Sequence, residues 1–170
     1  MKQNLTLYHL YQTIDFELDK PAISVLEASF VHISYFEEKG NTKEVGNSRL
    51  VFLGMYAFKG RLASLIEQFV SGNGKQLQHY LGNIFTNERL VQIYDELKFE
   101  KISKAGSKFE IDKHKHIFTL SYLGFLEQYA SSQFLEKQAF ALFLKDIKFE
   151  GKKVGLNILQ ILKAKTEAVL

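Results

Sequence analysis

A single proline, Pro21, stands in 170 residues, so nothing after position 21 obliges a helix to stop for want of a backbone N–H. Large apolar residues in that long stretch recur at spacings of three and four. Phe58, Leu62, Leu65 and Phe69 step by four, three and four, as do Phe118, Tyr122, Phe125 and Tyr129, which puts each set on one helical face. Ile117, Leu120, Leu123 and Leu126 make the second helix apolar nearly all round, so it is expected at the centre of the fold. A buried strand is the alternative, but a run of about 14 residues is long for a strand. Pro21 suits the first turn of a helix through Ile23, Leu26 and Phe30, capped by Asp19 or a neighbour. The expected fold class is all-α.

The breaks between helices are polar. Residues 37–47 contain two glycines, residues 71–74 (Ser-Gly-Asn-Gly) form a turn cluster, and residues 150–153 precede a final amphipathic helix over about 154–170. Residues 98–115 hold six lysines and one glycine and read as an extended, partly irregular connection. There is no internal repeat. The length and the 46% hydrophobic content suit one domain with one core, here taken as 1–170. The absence of cysteine removes disulfide frameworks, zinc ribbons, iron–sulfur clusters and thiol nucleophiles. No apolar run approaches the roughly 20 residues of a membrane helix, and the opening residues carry neither a secretory signal nor an Arg-rich transit peptide.

The net charge of +3 hides an asymmetry. Residues 1–97 carry 9 basic and 11 acidic side chains, while residues 98–170 carry 13 and 8. A polyanion touching the second half would meet that imbalance.

Two stretches carry a resemblance. Ala28, Ser29, Phe30, Val31, His32, Ser34 and Tyr35 are followed, after a polar loop, by Asn47, Arg49, Leu50, Phe52, Leu53 and Gly54. This resembles the ribonuclease III family, whose domain opens with an Ala-Leu-Thr-His-x-Ser-Tyr type motif and continues with the signature Asn-Glu-Arg-Leu-Glu-Phe-Leu-Gly-Asp. Residues 76–99 look like the family's next helix pair, and residues 115–144 like its second catalytic helix and the helix after it. The resemblance covers about 10–147 and implies a ribonuclease III-type helical domain, without the separate double-stranded-RNA-binding domain of active bacterial relatives.

Family members cut double-stranded RNA with Mg²⁺ held by carboxylates from two helices. Mg²⁺ is a hard cation that wants oxygen ligands, and its bound water supplies the nucleophile. On the family pattern the carboxylate positions fall on Ser48, Val51 and Met55 in the first helix and Ile117 and Leu120 in the second. All five are neutral, and four are apolar. A slip of one residue offers His116 and Thr119, or Phe118 and Ser121, and restores no acid. Asp112 and Glu127 are the nearest acids and are expected to point elsewhere. The resemblance with these replacements implies a chain that is not an enzyme, with no metal and no cofactor. Apolar replacement also converts the mutual repulsion of clustered carboxylates into packing, so the former active-site face is expected to be filled.

Other candidates are weaker. His114-Lys115-His116 has the wrong spacing for a helical metal pair and reads as a surface or RNA-facing basic cluster. His32 reads as a buried, hydrogen-bonded structural residue. Residues 71–75 lack the spacing and the following Ser or Thr of a phosphate loop. The best nucleic-acid candidates are Lys98, Lys101, Lys104, Lys108, Lys113 and Lys115, with Lys152 and Lys153 later, because lysine ammoniums meet phosphates without reading sequence.

Among non-cleaving members of the family, size and missing carboxylates fit best those of the (fungal) mitochondrial large ribosomal subunit. The resemblance thus implies a structural protein in the mitochondrial matrix, bound to ribosomal RNA and other large-subunit proteins and paired with another ribonuclease III-like protein as a hetero- or homodimer. The alternatives are an active or partner-completed endoribonuclease that processes double-stranded RNA, and a non-catalytic subunit of an RNA-processing complex.

Overall fold

Helical periodicity becomes helix almost throughout in a computed structural model of the chain, which describes residues 20–41, 46–70, 72–145, 148–149 and 152–153. Helix α1 (Lys20–Ser29) has Pro21 in its first turn, where a missing N–H costs no hydrogen bond. Helix α2 (Ile33–Glu38) is short, and α3 (Ser48–Leu53) runs without a break through a π-helical stretch, Gly54–Phe58, into α4 (Lys59–Phe69). Then come α5 (Gly74–Ile84), α6 (Asn87–Glu96), two 3₁₀ turns (Phe99–Lys101 and Ile111–Lys113), α7 (Lys115–Tyr129) and α8 (Ser132–Ala139). A second π-helical stretch, Phe140–Leu144, follows. The fold is all-α, with one minimal antiparallel ribbon in which β1 (Lys148–Phe149) pairs with β2 (Lys152–Lys153). Asp19 and the expected helix over 154–170 lie outside the described residues.

Side-chain caps set several helix starts. Asn73, in the turn cluster, accepts the Gln76 N–H at 3.1 Å while its own N–H donates to the Gln76 side chain at 2.9 Å, a reciprocal capping box. Thr86 and Ser131 accept the N–H groups of Arg89 and Phe134 at 3.1 and 3.3 Å.

Helix α7 is central, as its all-round apolar sequence predicts. Phe118 through Leu126 are all buried, and α1, α3 with its π stretch, and α6 pack around them. The core joins Leu26 of α1 and Phe30 just past its end, Phe58, Leu62 and Ile66 of the long helix, Leu90, Ile93 and Tyr94 of α6, and the inner face of α7. Each such side chain contributes about 1.5–3 kcal/mol by leaving water. Within α7, Thr119 Oγ1 donates to the Leu90 carbonyl at 2.8 Å and fixes α6 against it.

Two polar residues of the matched motifs act as joints. The Asn47 side-chain amide is buried and donates to the Ser29 carbonyl at 3.2 Å, tying the last carbonyl of α1 to the start of α3. Gly46, beside it, has φ +53°, and a Cβ there would lie 2.7 Å from the Ile33 nitrogen. Only glycine combines that backbone conformation with that approach.

The 98–115 connection is extended with two 3₁₀ turns, but it is anchored rather than loose. Phe99 and Ile102 are buried in the core, and Phe99 sits edge-on to Phe30, Tyr122 and Tyr94 at centroid distances of 4.7, 5.2 and 5.9 Å. A parallel bridge pairs Val31 with Lys104. In it Lys104 N–H donates to the Phe30 carbonyl at 2.8 Å, and His32 N–H donates to the Lys104 carbonyl at 2.9 Å. Lys115, placed by the sequence at the end of this connection, is the first residue of α7.

Candidate functional site

Two glycines, Gly54 and Gly124, decide how the two helices of interest meet. A Cβ on Gly54 would stand 1.9 Å from the Leu120 carbonyl oxygen, and a Cβ on Gly124 would stand 1.9 Å from the Leu50 carbonyl oxygen. The backbones of α3 and α7 therefore touch at a crossing that tolerates no side chain on either residue. The five positions matched to the family's carboxylates lie on the helices of this crossing. Leu120 is buried in the core, Val51 and Met55 are half-buried against it, Ile117 is half-buried and Ser48 is exposed.

This set does not fit a Mg²⁺ ion, since the only side-chain oxygen in it is the Ser48 hydroxyl. The nearest acids are engaged elsewhere. Glu127, with 9% of its side chain exposed, takes a two-pronged contact from Arg61, at 2.7 Å from Nε and 3.1 Å from Nη2. Arg61 also donates to Ser132 at 3.1 Å, so the pair ties α4 to the α7–α8 junction and holds the guanidinium more firmly protonated. Asp112 lies 3.4 Å from the Lys115 ammonium. Among the described residues, no group of three or more His, Asp or Glu side chains is placed to share a metal ion.

On the outer side of the same helix, Phe52 and Tyr56 are 62% and 66% exposed, with ring centroids 4.7 Å apart. Arg49, one turn before Phe52, is also exposed. Two large rings side by side in water lose the apolar burial that the rest of the fold uses. Sequence reasoning matched Phe52 to a motif but carried no signal of its exposure, because i, i+4 aromatic spacing looks the same on either face of a helix.

The candidate lysines divide. Lys113 pairs with Glu110. Lys115 pairs with Asp95 at 2.9 Å as well as with Asp112, and its ammonium lies 5.5 Å from the Tyr94 ring centroid. The Asp95 and Asp112 contacts raise its pKa, with the Asp95 hydrogen bond the largest cause. Lys98, Lys101, Lys104 and Lys108 are exposed, with no carboxylate at ion-pair distance among the described residues. Lys152 and Lys153 form strand β2.

Lys98 stands out because its φ is +56°, the left-handed conformation that glycine normally supplies just past a helix end. A non-glycine residue pays roughly 1–2 kcal/mol for that backbone. Beside Lys104, α2 adds a cation that the sequence reading did not include. Lys39 Nζ donates to the Tyr35 hydroxyl at 2.6 Å and lies 4.2 Å from the ring centroid. The Tyr35 phenol is held below its ordinary pKa, chiefly by that hydrogen bond and then by the charges of Lys39 and Lys104.

His32 and the histidines of the basic cluster are not a bare surface patch. His32 is half-buried, caps α2 and stacks on Phe109 at 3.9 Å between centroids, and Phe109 lies 4.9 Å from His114. His116 is half-buried too, and burial first, then the neighbouring His114, lowers its pKa. Comparison of the chain with protein-family models, curated proteins and solved structures finds no match.

Proposed function

We propose that this chain is a non-catalytic, ribonuclease III-like structural protein of the mitochondrial large ribosomal subunit, which binds ribosomal RNA and pairs with another ribonuclease III-like protein. The observation that carries the reading is the α3–α7 crossing, where the positions matched to the family's metal carboxylates hold Val51, Met55 and Leu120 packed on the core. A helix pair so filled carries no carboxylate at the positions where the family's catalytic pair would hold Mg²⁺. Four exposed lysines on one anchored segment, with Lys39 beside Lys104, supply a surface for phosphates. Lys98 favours the RNA reading further, because a strained residue persists where its side chain is of use.

Purified chain mixed with double-stranded RNA and Mg²⁺ is expected to bind the RNA and leave it whole, and the chain in its source cells to sediment with the large subunit. Metal-dependent cleavage by the chain alone overturns the reading. Lys98→Gly gives a sharper check, because it relieves the backbone and removes the cation together. The variant should be more stable by roughly 0.5–1 kcal/mol in urea titration yet bind RNA more weakly, with the slope of log K against log salt shallower by about 0.7–0.9.

Pairing has its own support in the exposed Phe52–Tyr56 face. Sedimentation velocity should show a species of twice the chain mass, alone or with its partner. The double variant Phe52→Ser/Tyr56→Ser should run as a monomer with an unchanged helical spectrum.

A further inference from the structure

The lysine segment is clasped onto α2 by bonds that depend on where one proton sits. Gly106 N–H donates to Ser34 Oγ at 3.0 Å, and Ser107 N–H donates to the Glu38 carboxylate. The approach leaves no slack, for a Cβ on Gly106 would lie 2.6 Å from the Ser34 carbonyl oxygen. Ser34 Oγ in turn is 2.9 Å from His32 Nδ1, and Ser34 N–H donates to the same nitrogen at 3.3 Å. The Ser34 N–H can donate only to a lone pair on Nδ1, so the contact between Nδ1 and Ser34 Oγ is one in which the hydroxyl donates. Both the hydroxyl and the amide therefore require Nδ1 to carry a lone pair, which makes His32 the neutral tautomer protonated on Nε2.

We infer that residues 104–109 form a flap held on α2 by neutral His32, and that a proton on His32 releases it. Protonation turns Nδ1 into a donor facing two donors. The Ser34 hydroxyl must then reverse, and the α2 amide that His32 caps loses its acceptor. The Val31–Lys104 bridge uses backbone groups only and stays, so the flap hinges there.

The surrounding charges can be named from each side. On α2 they are Glu37, which favours the proton, and Glu38, engaged with Ser107. On the segment, His114 opposes the proton, while Lys104, Lys108, Glu110, Asp112 and Lys113 complete its charged groups. At the start of α7, Lys115 is tied to Asp95 and Asp112, and His116 faces His114 at 6.2 Å. The Phe109 face attracts a cation and works against release. Burial is the largest influence and it lowers the His32 pKa, with His114 acting the same way.

The sign follows from that lowering. The folded chain keeps His32 neutral where the unfolded chain takes up a proton, so the contribution of His32 to stability is complete above its ordinary value of 6.5 and is lost as pH falls through the lowered folded value. Working down to pH 5.5 stays above the ordinary carboxylate range. The flap does not depend on the RNA reading, although it carries Lys108 beyond the hinge at Lys104.

Hydrogen exchange of the full chain, followed by mass spectrometry on peptides spanning 103–110 and corrected for the intrinsic effect of pH, tests this directly. From pH 7.5 to 5.5 the corrected exchange of this peptide should speed up about fivefold, the equivalent of one lost N-cap. His32→Asn keeps an acceptor that does not titrate, so it should exchange like the native chain at pH 7.5 and show no acid response. An unchanged rate in the native chain, or an equal acid response in His32→Asn, overturns the proposal. Should that variant not fold, the ¹⁵N shift of His32 in the native chain serves instead. Nδ1 must be lone-pair-bearing at pH 7.5, and the loss of protection must share the midpoint of its titration; a protonated Nδ1 at pH 7.5 or a separate midpoint refutes it.

Discussion

Gly124→Ala is expected to destabilise the chain by about 3 kcal/mol or more, and Gly124→Val to leave no cooperative unfolding transition, as read by urea titration of circular dichroism. The added Cβ of alanine falls 1.9 Å from the Leu50 carbonyl oxygen, a backbone atom that cannot swing aside like the end of a side chain. Relief demands that α3 and α7 move apart along the whole crossing. Doing so opens gaps beside Leu50, Leu120 and Phe58, which all belong to the same core cluster. Gly54→Ala should match it closely, since its Cβ meets the Leu120 carbonyl at the same distance. The double variant should cost less than the sum of the two, because the first separation makes room for the second methyl. Gly60→Ala, with open space around its Cβ, is the control and should be neutral or stabilising.

The second large effect is expected at Phe99. Phe99→Ala removes a fully buried ring that touches Phe30, just past the end of α1, Tyr94 of α6 and Tyr122 of α7. Truncations of this kind cost about 3–5 kcal/mol. Beyond the global loss, the anchor of the lysine segment goes with the ring. Peptides over 100–110 should exchange hydrogen faster than the core even under conditions where the variant stays folded. Lys101→Ala, exposed two residues away, should leave stability within about 0.5 kcal/mol.

What the sequence told and what it withheld separate along physical lines. The face of α7 and the Phe58–Leu62–Leu65 face of the long helix were legible because helix periodicity is local. Gly54 was legible through its motif, but nothing in composition says that it touches α7 or that Gly124 touches α3. Phe99 and Ile102 were hidden among six lysines, because a stretch dominated by charge reads as solvent-facing even when two of its residues reach the core. The division of the lysines was equally out of reach. Asp95, which engages Lys115, lies 20 positions away, and the His32–Phe109 stack joins residues 77 apart. The left-handed Lys98 carries no local signal at all, since glycine is what that position normally advertises.

The π-helical stretch at Gly54–Phe58 has a consequence for the chain as an object of descent. Leu50, Gly54, Phe58, Leu62 and Ile66 are all buried and follow one another at strict intervals of four. An ordinary α-helix advances 100° per residue, so each such step overshoots a full turn by about 40° and five in line would wind off the core. The wider π turn takes up part of that overshoot where α3 meets α7. Losing a single residue between 54 and 58 would rotate Phe58, Leu62 and Ile66 by about 100° relative to Leu50, toward solvent. Outward side chains of this helix are free of that constraint, whereas its length across those five residues is not.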